Sequence, residues 1–159
     1  MLRSEEVYVV GSYGVAFWIV GEVPAPGETL LGSGFAFGNG GKGSNQAIGA
    51  ARLGARCSLL AGVGADKFGL EALELWRVEG VDCSAVRQTS ETPTMAGIII
   101  LDTAGENRII TDPGANARLT TTDVEPSQPP GRARASYSHS SRSQSRRRPA
   151  RLPSARRGD

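Results

Sequence analysis

The sequence predicts an α/β fold with a mostly parallel sheet, on three observations. Short β-branched runs alternate with segments of helical period, a hairpin is set among them, and a glycine run opens the first helix. "VYVVGSY" (7–13) reads as a buried strand ending in a Gly-Ser turn, and "VAFWIVGEV" follows as a second strand. "PAPGE" stops it with Pro24, Pro26 and Gly27. "TLLGSGFAF" is another extended segment. From Ser44 to Leu53 the period turns helical, with Ala47, Ile48, Ala51 and Leu53 on one face and Gly54 placed for a C-cap.

"CSLLAGVG" (57–64) predicts a compact apolar strand. Asp66 is a candidate N-cap for a helix through "KFGLEALELWRVEG", with Leu70, Leu73, Trp76 and Arg77 at helical spacing and Gly80 closing it. "MAGIIILD" and "NRIITD" flank "TAGE" as a hairpin. "PGANARLTTTDVE" then leads toward a further helix with a Thr or Asp cap.

Charge divides the chain at Glu125. Residues 1–125 hold nine Lys/Arg against fifteen Asp/Glu, a net of −6, and residues 126–159 hold nine Arg against Asp159 alone, a net of +8. The segment 126–159 is built of Arg, Ser and Pro with one leucine and one aromatic. It cannot bury enough apolar surface to offset chain entropy, so disorder is expected there. Composition changes inside what "LTTTDVE" begins as a helix, and Arg, Ser, Pro, Ala and Gly all have GC-rich codons. A frameshift near codon 125 is the expected origin. Phosphate neutralisation by the arginines would suit nucleic acid, but RGG repeats and sustained Arg-Ser alternation are missing, which ranks nucleic acid low.

Cys57 and Cys83 make neither a Cys-x-x-Cys motif nor a zinc spacing, so two free thiols in a reducing, cytoplasmic setting are expected. The only histidine, His139, lies in the tail. "VYVVGSYGVAFWIVG" is shorter than the roughly 18–20 residues of a membrane span, so no membrane partner is expected.

The chemistry concentrates in "GNGGKGSNQA" (38–47). A P-loop would need glycine at Ala36 and a hydroxyl at Gly43, and fails twice. A dinucleotide fingerprint fits Gly38, Gly40 and Gly43 but should follow the first strand, and two extended segments intervene. A tight turn before a small-residue helix explains the glycines. It leaves Lys42 and Asn45 without a purpose at a helix start that offers free N–H groups to a polar ligand.

"GGKGSNQAIGAARLGA" resembles the first signature of the ribokinase branch of the phosphofructokinase-B family of carbohydrate kinases. "VVGSYG", "VPAPGETLLGSGFAFGNGGKG", "GVGADKFGLEALELWRVEGVD" and "TPTMAGIIILDTAGENRIITDPGANARLT" resemble successive blocks of that family over about residues 7–125. The resemblance implies a ribokinase-like, Rossmann-type three-layer α/β/α fold, present in part as a sugar kinase half-domain over 1–125, with a small β-sheet lid. It implies transfer of the ATP γ-phosphoryl group to a sugar hydroxyl, with Mg²⁺ and a monovalent cation as further candidates. By the same resemblance Gly40, Gly41 and Gly43 bring backbone close to the sugar, while Lys42 and Asn45 bond its hydroxyls. Strands around 15–37 and 96–111 form the lid, which in ribokinases also pairs two subunits.

Two departures are expected to matter. The family reads G-S-x-N-x-D after the first strand, and its Asn and Asp bond the sugar; Gly14 and Ala16 stand there in this chain. Hydrogen bonds to a charged group contribute about 1.5–3 kcal/mol each. A lost carboxylate that accepted two therefore costs on the order of 3–6 kcal/mol, roughly two to four decades of affinity. Family members are also considerably longer, and the resemblance places their general base (in a Gly-Ala-Gly-Asp motif), anion hole and nucleotide pocket in a second half that 126–159 does not resemble. No catalytic and no metal-ligating residue is therefore assigned, and a chain inactive alone is expected. A non-catalytic sugar-binding or dimerising protein is the alternative. Among the other residues, Trp18 suits a sugar stack or a lid contact equally, Trp76 the core, Glu106-Asn107 turn chemistry, and Asn116 a cap or turn.

Overall fold

A computed structural model describes residues 6–124 and the backbone of 134–137. Glu6–Val10 (β1), Arg56–Leu60 (β4), Val81–Asp82 (β6) and Arg134–Tyr137 (β10) form one parallel sheet in the order β10-β1-β4-β6. Gly14–Val20 (β2), Ser33–Gly40 (β3), Ala96–Leu101 (β8) and Asn107–Asp112 (β9) form a second, mixed sheet in the order β3-β2-β8-β9. Gly62–Gly64 (β5) pairs with Arg87–Thr89 (β7). The helices are Lys42–Arg52 (α1), Lys67–Val78 (α2) and the single turn Thr121–Val124 (α3), the last preceded by a 3₁₀ turn at Gly114–Arg118.

The parallel sheet alternates between two apolar faces, as strands covered on both sides require. Val9, Cys57, Leu59 and Val81 meet Ala47 of α1 and Ala72 and Trp76 of α2. Tyr8, Val10 and Leu60 point the other way and are covered by Ala85, Leu119 and Val124. Among the described residues one face therefore carries two full helices, and the other a thin cover that includes α3. Trp76 is fully buried, as the helical period predicts. Its indole N–H donates to Ser44 Oγ at 2.8 Å and its ring meets Tyr13 edge-on, with centroids 5.3 Å apart.

Several expectations need correction. The glycine run is not all loop: Gly38, Asn39 and Gly40 are strand, paired with Ala16, Val15 and Gly14. The helix starts at Lys42, two residues before Ser44. "CSLLAGVG" is two strands in separate sheets. The second strand starts at Gly62, where only glycine fits, since a Cβ there would lie 2.8 Å from the Ala115 carbonyl carbon. Leu53 is 91% exposed, since the helix ends on it and turns away at Gly54 (φ +89°). In the tail expected to be disordered, Arg134–Tyr137 is a strand in parallel register with β1. Backbone pairing at an open sheet edge does not need apolar side chains. The other residues of 126–159 lie outside the described set.

Candidate acceptor site

The turn after β1 and the junction of β3 with α1 are locked together by bare backbone. Gly41 alone separates strand from helix, at φ +97° and ψ 128°. A Cβ on it would lie 2.6 Å from Tyr13 Cα and closer still to the Ser12 carbonyl oxygen. A Cβ on Gly43 would lie 2.6 Å from Gly11 Cα. These two glycines admit the approach that lets Ser44 N–H donate to Ser12 O at 3.1 Å. No side chain caps α1, so its first turn keeps donors for a ligand.

Lys42 and Asn45 are both exposed in that first turn, three residues apart and so on one face. Neither side chain has a hydrogen bond or ion pair with the described residues. Gly40 closes β3 opposite Gly14, which brings the loop to the start of β2, where Gly14 and Ala16 stand. Gly14 is more than an absent side chain. Its Cβ would fall 2.7 Å from Met95 Cγ and 2.9 Å from the Met95 carbonyl oxygen, so that space is already taken.

Two further residues fix the turn. Asn116 holds the Tyr13 peptide from both sides: Oδ1 accepts from Tyr13 N–H at 3.2 Å and Nδ2 donates to Tyr13 O at 2.7 Å, with a second bond to Pro113 O. This is a clamp across the chain rather than a local cap. Tyr13 hydroxyl donates to Asn39 Oδ1 at 2.6 Å, tying the turn to the end of β3. Burial, reinforced by the negative charges of Glu71 and Asp66, pushes that phenol up to about 12. Tyr13 therefore stays neutral and donating through ordinary pH. The sequence hinted at neither link, since both join residues distant along the chain.

Asp66 is the N-cap of α2, as predicted, with Oδ1 accepting from Gly69 N–H at 2.9 Å. It also accepts from Thr94 N–H at 2.7 Å and the Thr94 hydroxyl at 2.8 Å. Burial alone would raise its pKa, but the bonds from Thr94 and Gly69 outweigh it and hold the carboxyl below its usual value. Its three bonds make it a structural tie between α2 and the start of β8. Glu106 lies in the β8–β9 turn, where Asp102 accepts from its N–H at 2.9 Å, whereas Asn107 opens β9 opposite Leu101.

A cavity of about 530 Å³ opens beside this turn, lined by Gly11, Ser12, Met95, Thr111, Asn116 and Leu119 among others. It adjoins the lid face that carries Gly14 and Ala16, because Thr111 pairs with Gly97 and Gly97 with Ala16. The loop residues Lys42 and Asn45 are not in its lining.

The pfkB family carbohydrate kinase model matches residues 4–149. The chain belongs to that family. The match runs past the composition break at Glu125. Ribokinase of Schizosaccharomyces pombe is 41% identical over 108 residues, covering 64% of this chain and 34% of the relative. The structure of ribokinase from Giardia lamblia superposes with a TM-score of 0.68 at 34% identity, over 77% of this chain and 37% of that one. Arabidopsis thaliana ribokinase, solved with ribose and ATP, gives 0.65 at 30% identity, over 72% and 38%. The fold of this kinase-family chain is thus a partial ribokinase fold, and the chain spans about a third of the length of the curated relatives it matches.

Proposed function

We propose that this chain carries the acceptor half of a sugar kinase: it holds a small sugar at Gly40, Gly41, Lys42, Gly43 and Asn45. In the complete fold the reaction is transfer of the ATP γ-phosphoryl group to a sugar hydroxyl. The observation that carries the reading is the pair Lys42 and Asn45. Both are exposed and without partners among the described residues, and they stand on a loop whose Gly41 and Gly43 are required by contact with the turn after β1.

The sugar, held by its hydroxyls, would lie against the uncapped first turn of α1, with the neutral Tyr13 and the Asn116 clamp keeping that turn in place. ATP and Mg²⁺ would supply the phosphoryl group and charge neutralisation in the complete fold. The residues at hand do not fit them: no group of three His, Cys, Asp or Glu that could hold a metal occurs among the described residues, and the glycine run lacks the P-loop spacing. No step through nucleotide or metal is therefore assigned to this chain, which we expect to bind sugar without turnover. Gly14 and Ala16 weaken the site for ribose.

The lid also supports pairing of two copies. Phe37, Phe17, Ile98 and Ile110 stand in one row across all four strands, and Phe37 and Ile110 are 57% and 75% exposed. Free thiols at Cys57 and Cys83 suit a reducing, cytoplasmic setting. No helix among the described residues is long and apolar enough to cross a membrane.

Calorimetric titration of the full chain with a pentose panel tests the reading. Saturable binding lost in Lys42→Ala and Asn45→Ala, without sugar phosphate formed from ATP and Mg²⁺, is the expected outcome. Turnover above a no-protein blank would sink the inactive half of the proposal, and binding indifferent to both substitutions would sink the site.

A further inference from the structure

The lid face that begins beside the loop, where Gly14 pairs with Gly40, is apolar. Gly14, Ala16 and Trp18 alternate along β2 and so share one face of the lid sheet. Opposite them on β3 and β8 are Gly38 and Gly97, which bring no side chain. The Trp18 ring lies over the first of these: a Cβ on Gly38 would sit 3.4 Å from Trp18 Cη2 and 3.7 Å from Cζ3. Met95 fills the space beside Gly14. Of the polar side chains in the adjoining cavity, Asn116 is spent on the backbone of Tyr13 and Pro113, which leaves the hydroxyls of Ser12, Thr111, Thr120 and Thr121. The ammonium and amide of Lys42 and Asn45 stand in the first turn of α1, which follows β3 directly after Gly41.

A ligand suited to such a site has one polar edge and one apolar face. A fully hydroxylated pentose would press a hydroxyl against Met95, Ala16 or the indole, where that group loses water and gains no partner. A pentose lacking that hydroxyl gives up nothing there, and its C–H face can rest on the indole. We propose that Met95, Ala16 and Trp18 select a deoxy sugar over its hydroxylated parent, with Trp18 as the platform under its apolar face. This rests on the acceptor-site reading above and goes further by naming the substrate class and three specificity-determining residues.

The test uses the full chain and calorimetry with ribose, 2-deoxyribose, 3-deoxyribose and thymidine, together with intrinsic fluorescence. Trp76 is fully buried but bonded to Ser44 within the loop, so the emission of Trp18→Phe separates the Trp18 signal from that of Trp76. At least one deoxy sugar should bind about tenfold more tightly than ribose, a difference of about 1.4 kcal/mol. It should shift the emission, and the shift should vanish in Trp18→Phe. Ala16→Asp should reverse the order in favour of ribose; where that variant fails to fold, Trp18→Asn should erase the preference instead. Ribose binding as tightly as both deoxy sugars overturns the inference and leaves the acceptor reading standing. Thymidine alone binding assigns the wall to a nucleobase and overturns it too. Saturation by none of the four removes the acceptor reading and the inference with it.

Discussion

Replacing Gly41 by alanine attacks the one residue between β3 and α1. Two costs follow from the geometry. An L-residue at φ +97° is held outside its ordinary range, at about 1–2 kcal/mol. The new methyl would also sit 2.6 Å from Tyr13 Cα, where carbon pairs prefer about 3.5–4.0 Å. The turn cannot easily yield, because Asn116 grips Tyr13 N and O and Ser44 N–H grips Ser12 O. Relief on the order of 1 Å would stretch those bonds, at about 1 kcal/mol apiece. The sum is about 3–5 kcal/mol, a large share of the roughly 5–15 kcal/mol of a typical domain. Two other glycines supply the controls. Gly54 has φ +89° but nothing within 4 Å of its Cβ, so Gly54→Ala should cost only the conformational part, about 1–2 kcal/mol. Gly49 lies in α1 with open space around it, so Gly49→Ala should stabilise by about 0.5–1 kcal/mol. Urea unfolding followed by the fluorescence of buried Trp76 ranks the three. Equal losses for Gly41→Ala and Gly54→Ala would refute the packing of the loop on the turn.

Further outcomes follow from the same contacts. Asp66→Asn should destabilise by about 2 kcal/mol at neutral pH, through a weakened cap and weakened bonds from Thr94. Because the folded carboxyl titrates below its usual value, that contribution is complete above about pH 4 and fades as pH falls through the lowered folded value. A difference between wild type and variant that persists unchanged toward pH 2 would contradict it. Asn116→Ala should loosen the Tyr13 turn by about 1–3 kcal/mol, read as faster amide hydrogen exchange at Tyr13, with unchanged exchange as the contrary result. The lid should bind a hydrophobic dye and self-associate with concentration, and Phe37→Ser with Ile110→Thr should reduce both. Undiminished dye binding would place the apolar surface elsewhere.

How much was legible in the sequence depends on the range of the interactions involved. Asp66 and the α2 cap were readable because a cap is decided within three residues. The lid hairpin was readable from two β-branched runs around "TAGE". The glycine run announced a close backbone approach, but not that Gly38–Gly40 would be strand, since only pairing with Gly14–Ala16 decides that. Within 57–64 the second strand opens at Gly62, packed against the Ala115 backbone far along the chain, a contact that left no local sign. The same holds for Asn116, whose partner is Tyr13, and for the Tyr13–Asn39 bond. Composition marked Glu125 as a boundary, yet the family match runs across it and β10, beyond it, pairs with β1. Arg-rich composition speaks to side-chain burial and is silent about backbone pairing along β1.

The central claim is that the Gly40–Asn45 loop receives the sugar, and amide chemical shifts of the isotope-labelled full chain report on it residue by residue. On titration with ribose and the deoxy pentoses, the largest shifts should fall on Gly40 to Asn45 and on Ser12 to Ala16, saturating together and disappearing in Lys42→Ala. Shifts that saturate elsewhere while residues 40–45 stay still would contradict the account.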